Sequence, residues 1–175
     1  MEPFSEKADL PNKTLLVGMG NPYLTDDAVG IRLVRDFNRR LGSIPDLDVI
    51  EECSVGGLNF LDLLEGFRRL IIVDSIRTRG GIPGRWYRFT AEGLRETMNI
   101  SNIHDVNFAT ALELGHRMRM KIPSEKETHI FAVEILDNFT FGEQLTDDLE
   151  RAYPIYSEEI FGDLCILINP KPLLP

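Results

Sequence analysis

The sequence predicts an α/β fold with a mostly parallel β-sheet. Two strand–helix–strand units with short connections open the chain, and such units form right-handed crossovers between parallel strands. The stretch Arg69–Val73 is almost entirely apolar, as expected of a strand covered by helices on both faces. With 175 residues and 43% hydrophobic content, residues 1–175 are expected to form a single domain with a full core.

The first unit joins a strand at Lys13–Val17 to a helix that runs from Asp26 to about Leu41. A glycine-containing turn, Gly18-Met19-Gly20-Asn21-Pro22, separates them, and Thr25 is expected to cap the helix. Asp26 is expected to be an ordinary first-turn acid, which stabilises the positive end of a helix. Apolar residues recur at intervals of four and predict the face that packs on the sheet: Val29, Leu33, Phe37 and Leu41.

The remaining elements follow in order along the chain. Further strands are predicted at Leu47–Cys53, Arg85–Phe89 (an edge strand) and Thr128–Glu134, and further helices at Leu58–Glu65, His104–Met118, Leu145–Ala152 and Pro154–Ile168. Residues 91–103 are expected to be a loop with one helical turn, and 135–144 a loop. Residues 1–12 are expected to be a loose N-terminal extension, and 169–175 a C-terminal tail.

Composition restricts the classes of function and the compartment. A formal net charge of −9 argues against nucleic acid as the main partner. No apolar run approaches the roughly 18 residues that span a bilayer, and the N-terminus has no apolar signal-peptide core. Cys53 and Cys165 are far apart and form no C-x-x-C motif. We therefore expect a cytoplasmic protein without membrane insertion, disulfide scaffold or structural zinc site.

Familiar catalytic motifs are missing from the sequence. There is no G-x-S-x-G elbow and no H-E-x-x-H, and neither cysteine has a histidine nearby in sequence. The G-x-G at residues 18–20 lacks the third glycine of a dinucleotide fingerprint. No organic cofactor is expected.

Three polar residues follow predicted strands or open a later helix. Asp27 lies one loop after the first strand, Asp74 directly after the third, and His104 at the start of a helix. Ligands of open parallel sheets bind beyond the carboxyl ends of the strands, and two carboxylates with an imidazole suit a divalent metal such as nickel or zinc. Taken singly, each has an ordinary alternative: a helix-end acid, a strand-end cap and a partly exposed histidine.

Other candidates are weaker. His116 lies at a helix end, where a cation is favoured, and His129 lies inside a strand, where packing is the simpler explanation. Gly56-Gly57 is expected to be a turn on the same rim as Asp27 and Asp74.

Several motifs of the chain resemble those of the hydrogenase maturation endopeptidases. The resemblance begins with a G-x-G-N pattern followed by four residues and acid-acid-x-x-G, includes the Gly56-Gly57 loop, and covers roughly residues 13–160. The matching stretches are VGMGNPYLTDDAVGIRLV, RLIIVDSIRTRGGIPG, NIHDVNFATAL, FAVEI and FGEQLTDDLERAYP.

This resemblance implies a fold and an activity. The fold is a three-layer, twisted, mostly parallel five-stranded sheet between helices, of phosphorylase/hydrolase-like type. The activity is removal of the C-terminal extension from the large-subunit precursor of a nickel–iron hydrogenase after nickel insertion. Nickel held by the precursor would be recognised at the positions that correspond to Asp27, Asp74 and His104. We expect a monomer whose substrate-facing loops contain Gly20, Asn21, Gly56 and Gly57.

Two mechanisms stay open at the level of sequence. A metal could polarise the scissile carbonyl or activate water, or the three residues could act as a gate while a carboxylate serves as general base. No residue resembles an activated serine or cysteine, which favours water as the nucleophile. Residues 77–103 and 135–144 vary in character and are expected to select the partner.

Two other functions compete with the endopeptidase. A nickel-sensing assembly chaperone could use the same three residues without cutting the precursor. Peptidyl-tRNA hydrolases also open with G-x-G-N-P, but here Thr25 is followed by Asp26-Asp27 and no histidine precedes His104. The acidic net charge would also repel the tRNA backbone.

Overall fold

The computed structural model describes residues 10–96 and 103–168, except for the side chains of 94–96, 103–107 and 109. Residues 1–9 of the predicted extension and the whole predicted tail, 169–175, lie outside this part. The strands are β1 (Thr14–Met19), β2 (Leu47–Cys53), β3 (Arg69–Ile76), β4 (Trp86–Thr90) and β5 (Thr128–Glu134). The α-helices are α1 (Val29–Leu41), α2 (Leu61–Leu64), α3 (Ala91–Glu96), α4 (Ile103–Arg117) and α5 (Asp147–Ile168).

The five strands form one sheet in the order β2-β1-β3-β5-β4. Strands β2, β1, β3 and β5 are parallel, and β4 runs antiparallel to β5 at the edge. The predicted mostly parallel five-stranded sheet and its edge strand are therefore confirmed. Because the four parallel strands end on the same side, their carboxyl ends and the loops that follow form one edge of the sheet.

Helices cover both faces of the sheet and make three layers. Side chains alternate along β1, so that Leu15 and Val17 enter the core beneath α2, α3 and α4, whereas Leu16 enters the core beneath α1 and α5. The predicted apolar face of α1 is confirmed, since Val29, Leu33 and Phe37 are fully buried.

The start of the first helix differs from the prediction. Residues Thr25–Ala28 form a 3-10 turn, and α1 begins only at Val29. Thr25 does not cap the helix: its hydroxyl donates to the carbonyl of Thr140 at 2.6 Å, and its φ of 39° is unusual for a residue with a side chain. The loop after β5 competes for this hydroxyl, a contact that local sequence patterns do not reveal.

Two other helices also differ in their bounds. The predicted break before Pro154 is wrong, because α5 is a single helix that contains this proline. Tyr156, Ile160 and Leu164 are buried against the sheet, and this packing keeps the helix continuous despite the lost hydrogen bond. The predicted helix at Leu58–Glu65 is instead a 3-10 turn followed by the one-turn helix α2. Among the described helices, none is both long and apolar enough to cross a bilayer.

Candidate active site

Three glycines allow the turn after β1 to pack tightly against the ends of the parallel strands. A Cβ at Gly30 would lie 2.3 Å from the carbonyl oxygen of Val73 in β3. At Gly20, whose φ is +137°, it would lie 1.9 Å from the carbonyl oxygen of Asp27. At Gly18 it would lie 2.5 Å from the Glu51 carbonyl oxygen. Only glycine permits these approaches, and they bring Asp27 to the carboxyl edge of the sheet.

The Asp27 carboxylate is held by two hydrogen bonds from different elements. Its Oδ2 accepts from the backbone N–H of Asn21 at 2.9 Å, and its Oδ1 accepts from the hydroxyl of Ser75 at 2.7 Å. The first bond closes the turn after β1, and the second fixes the carboxylate to the end of β3. A carboxylate has about four acceptor positions, so Asp27 keeps capacity for a further ligand.

Ser75 connects the two candidate carboxylates. Its hydroxyl donates to Asp27, and its backbone N–H donates to Oδ1 of Asp74 at 2.7 Å. Sequence reasoning singled out Asp74 in this strand and missed Ser75. Neighbouring strand residues point to opposite faces, so no sequence pattern indicated that both would take part in one site.

Asp27 and Asp74 line the same cavity, which has a volume of about 240 Å³. The predicted substrate-facing residues Gly20, Asn21 and Gly56 also line it. Gly57 is not part of the wall and begins the following 3-10 turn. The remaining lining residues are Met19, Leu24, Cys53, Ser54, Val55, Ser75 and Asn138. The described lining therefore contains two carboxylates and no lysine or arginine, which gives it a negative character.

The predicted third residue, His104, lies in the first turn of α4, and its side chain is outside the described part of the structure. The described side chains include no group of three metal-ligating residues that could hold an ion. Because His104 is not among them, the predicted set of Asp27, Asp74 and His104 stays a prediction.

The other two histidines do not line this cavity. His116 Nε2 lies 3.0 Å from the carbonyl oxygen of Pro123. His129 lies in β5, where burial lowers the pKa of its imidazole. Its Nδ1 is buried and has no hydrogen-bond partner among the described residues. Both histidines are thus parts of the scaffold.

Cys53 lines the cavity but is poorly suited to be a nucleophile. Burial raises the pKa of its thiol, with a further contribution from the negative charge of Asp74. Its Sγ donates to the carbonyl of Val55 at 3.6 Å. The thiolate is the nucleophilic form of cysteine, and at neutral pH this environment favours the thiol.

Asp26 has a larger structural role than that of an ordinary first-turn acid. Its side chain is fully buried. The carboxylate accepts from the backbone N–H groups of Leu136 and Asp137 and from both the N–H and the hydroxyl of Thr146, at 2.7–3.1 Å. Asp26 therefore fastens the loop after β5 and the start of α5 to the turn that carries Asp27.

The fold and this cavity together define an α/β protein with a carboxylate site at the carboxyl edge of its parallel strands. A family model described as hydrogenase maturation protease matches residues 31–162, and the chain belongs to this family. The match includes Asp74 and His104, whereas Asp27 precedes it. The family match supports the hydrogenase-maturation interpretation over the peptidyl-tRNA hydrolase alternative.

Curated relatives match over a shorter stretch. The hydrogenase expression/formation protein HupD of Bradyrhizobium diazoefficiens is 38% identical over 74 residues, which cover 42% of this chain and 38% of HupD. The hydrogenase 2 maturation protease of Escherichia coli is 33% identical over 72 residues, which cover 41% of this chain and 43% of that protein. The matches thus span about two fifths of the length of each relative.

Solved structures share the fold over most of the chain. The hydrogenase maturating endopeptidase HybD from E. coli superposes with a TM-score of 0.70 at 22% identity, covering 87% of this chain and 91% of HybD. The [NiFe] hydrogenase maturation protease HybD from Thermococcus kodakarensis gives a TM-score of 0.65 at 20% identity, covering 87% and 98%. At these identities the likeness establishes the three-layer fold.

Proposed function

We propose that this protein is an endopeptidase that removes the C-terminal extension of a nickel–iron hydrogenase large-subunit precursor after nickel insertion. Membership of the hydrogenase maturation protease family supports this activity. The observation that carries the proposal is the pair Asp27 and Asp74, which share one cavity and are joined through Ser75. The pair lies at the edge of the sheet where ligands of such folds bind.

The nickel of the precursor is recognised by Asp27, Asp74 and His104. Carboxylate and imidazole groups are suitable ligands for nickel, and the described cavity lining includes the carboxylates of Asp27 and Asp74. His104 opens α4 and supplies the imidazole that the family resemblance assigns to this position. Nickel in this scheme is part of the substrate, so a precursor that lacks it binds more weakly at the cavity.

Water is the proposed nucleophile. The Cys53 thiol has a raised pKa because of burial, and the Ser75 hydroxyl donates to a carboxylate, which is a weak base for activating serine. A carboxylate of the pair accepts a proton as water attacks the scissile carbonyl. The carbon–nitrogen bond then breaks, and the departing amine takes up a proton.

Intact-mass measurement of the precursor tests this function. Nickel-loaded precursor is expected to lose the mass of its C-terminal extension on incubation with the protein, and nickel-free precursor is expected to keep its mass. An assembly chaperone would instead form a complex and leave both masses unchanged, and that result would overturn the endopeptidase proposal.

Substitutions test the site separately from the activity. Asp27→Ala, Asp74→Ala and His104→Ala are each expected to abolish cleavage of the nickel-loaded precursor. Asp48→Ala is a matched control, because Asp48 lies at the opposite, amino-terminal edge of the sheet in an exposed ion pair with Lys13. Normal cleavage by all three site variants would show that the assigned site is wrong.

A further inference from the structure

Three aromatic side chains on the turn after β1 and the loop after β5 project into solvent. Tyr23 is 63% exposed, Phe139 73% and Phe141 84%. Tyr23 precedes the cavity-lining residue Leu24, and Phe139 follows the cavity-lining residue Asn138. We call Tyr23, Phe139 and Phe141 the aromatic ridge. Large exposed apolar groups that lie together mark interaction sites more often than single ones do.

The backbone beneath the aromatic ridge is firmly held. The N–H of Gly142 donates to the carbonyl of Tyr23 at 3.0 Å, and the N–H of Thr25 donates to the carbonyl of Gly142 at 2.9 Å. These bonds join the turn after β1 to the loop after β5 in a short parallel bridge. Within that loop, the N–H groups of Phe139 and Thr140 both donate to the side chain of Asp137.

This arrangement combines exposed rings with an ordered main chain. Asp26 holds the same loop from inside the protein through the N–H groups of Leu136 and Asp137. A binding surface that is ordered before contact loses less conformational entropy on binding. The backbone that carries the aromatic ridge is therefore ordered before any partner binds.

Charges of both signs lie next to the aromatic ridge. The guanidinium of Arg77 lies 5.4 Å from the centroid of the Phe139 ring, and it donates to the Asn138 side chain at 3.4 Å. Tyr23, at the other end, lines a second cavity whose described walls carry three arginines, two glutamates and one aspartate. These positive and negative groups balance in number, so the charged surface next to the rings favours neither an acidic nor a basic occupant.

The size of the cavity indicates that a polypeptide must be bound outside it as well. At about 240 Å³ the cavity is smaller than the roughly 300–1,000 Å³ of pockets that enclose small-molecule ligands. A polypeptide whose scissile bond lies at Asp27 and Asp74 must therefore extend over the rim. Tyr23 and Phe139 of the aromatic ridge are chain neighbours of the cavity-lining residues Leu24 and Asn138, and aromatic residues with arginine are the usual anchors of protein interfaces.

We propose that the aromatic ridge binds apolar side chains of the substrate polypeptide on one side of the bond to be cut. This inference rests on the proposed endopeptidase function and assigns to the loop after β5 a direct contact with the precursor. The ridge contributes to binding of the substrate, and the chemistry at Asp27 and Asp74 is independent of it.

The proposal is tested by steady-state cleavage of a nickel-loaded large-subunit precursor from the organism that encodes this protein. The double variant Phe139→Ala/Phe141→Ala is expected to raise KM about tenfold or more, because truncating interface anchors has effects of this size, and to leave kcat within about twofold. The variant Phe139→Leu/Phe141→Leu keeps apolar groups and is expected to recover much of the loss. Ile166→Ala is the control, because Ile166 is 66% exposed and lies near the amino-terminal edge, where Leu167 accepts a hydrogen bond from Arg69.

The outcomes separate this proposal from the proposed function. If the wild type cleaves and the Ala/Ala variant has an unchanged KM, the aromatic ridge is not a substrate-binding surface although the function stands. If the wild type neither cleaves nor binds the precursor, the proposed function fails and the ridge proposal fails with it. A wild-type dimer in sedimentation experiments that becomes monomeric in the Ala/Ala variant would identify a second copy as the occupant and overturn the proposal.

Discussion

Asp26 and Asp27 are neighbours in a single 3-10 turn, yet their surroundings differ completely. Asp26 is fully buried and accepts four hydrogen bonds from the loop after β5 and the start of α5. Asp27 is partly exposed, accepts two hydrogen bonds and lines the cavity. The difference teaches that the two acids have separate roles. Asp26 fixes the loops around the site, and these fixed loops hold Asp27 where it lines the cavity.

The largest effect on stability is expected from Asp26→Ala. Four donors would lose their acceptor, and each unsatisfied buried donor costs about 1–3 kcal/mol. We expect the free energy of unfolding to fall by about 3 kcal/mol or more, measured by urea denaturation at pH 7. Asp27→Ala is the matched variant and should cost about 1 kcal/mol. Equal losses for the two variants would remove the distinction between the two acids.

Gly20→Ala should displace the backbone of Asp27, which packs against Gly20. The added Cβ would meet the Asp27 carbonyl oxygen at 1.9 Å, and the φ of +137° is itself unfavourable for alanine. We expect a loss of about 2–3 kcal/mol in stability together with slower cleavage of the precursor. Gly66→Ala is the control, because Gly66 has a φ of +89° and no atom within 4 Å of the added Cβ. It should lose stability without a change in cleavage rate.

A smaller effect on stability is expected from Ser75→Ala, which removes the hydroxyl that holds Asp27. The free energy of unfolding should fall by about 1 kcal/mol. The value of kcat should fall about tenfold because a less well oriented carboxylate is a poorer catalyst. Ser54→Ala provides the comparison, since the Ser54 hydroxyl also lies at the cavity but donates to the carbonyl of Gly20 at 3.3 Å. Similar kcat values for both variants would argue against Ser75 as a positioning residue.

The smallest effect concerns a residue remote from both acids. Burial lowers the pKa of His129 below its usual 6.5, so the unfolded chain binds a proton more readily than the folded protein. The contribution of the neutral His129 to the free energy of unfolding is fully present above pH 6.5. It is lost as the pH falls below 6.5 and through the lowered pKa of the folded protein. When the pH is lowered from 7.5 to 5.5, the free energy of unfolding measured by urea denaturation should therefore fall less for His129→Gln than for the wild type. An identical pH dependence in both proteins would contradict this assignment.

Local patterns were sufficient to predict most of the fold. The apolar run of β3, the four-residue spacing in α1 and the short connections predicted the parallel sheet and its covering helices. The prediction failed at Thr25 and Pro154, where contacts with distant segments override local preference. The hydroxyl of Thr25 bonds to a residue 115 positions away, and the helix containing Pro154 is held by its packing on the sheet.

The candidate site was predictable only in part for the same reason. The glycine spacing and the strand ends indicated Asp27 and Asp74, because position at the carboxyl edge follows from topology. The structural role of Asp26 was underestimated because its hydrogen-bond partners lie 110–120 residues away in the sequence. The role of Ser75 was missed because its partner Asp27 lies 48 residues away. The role of His104 comes from the family resemblance, and the aromatic ridge depends on which rings the folded loops leave exposed.

The cleavage activity of Asp27→Asn tests the central claim most directly. This variant keeps the shape of the side chain and removes its charge, so its free energy of unfolding should stay within about 1 kcal/mol of the wild type. Intact-mass measurement should show that it cleaves nickel-loaded precursor about 100-fold more slowly or worse, as expected for loss of a catalytic acid–base group. A folded Asp27→Asn variant that cleaves within about twofold of the wild-type rate would contradict the assignment of Asp27 to the site.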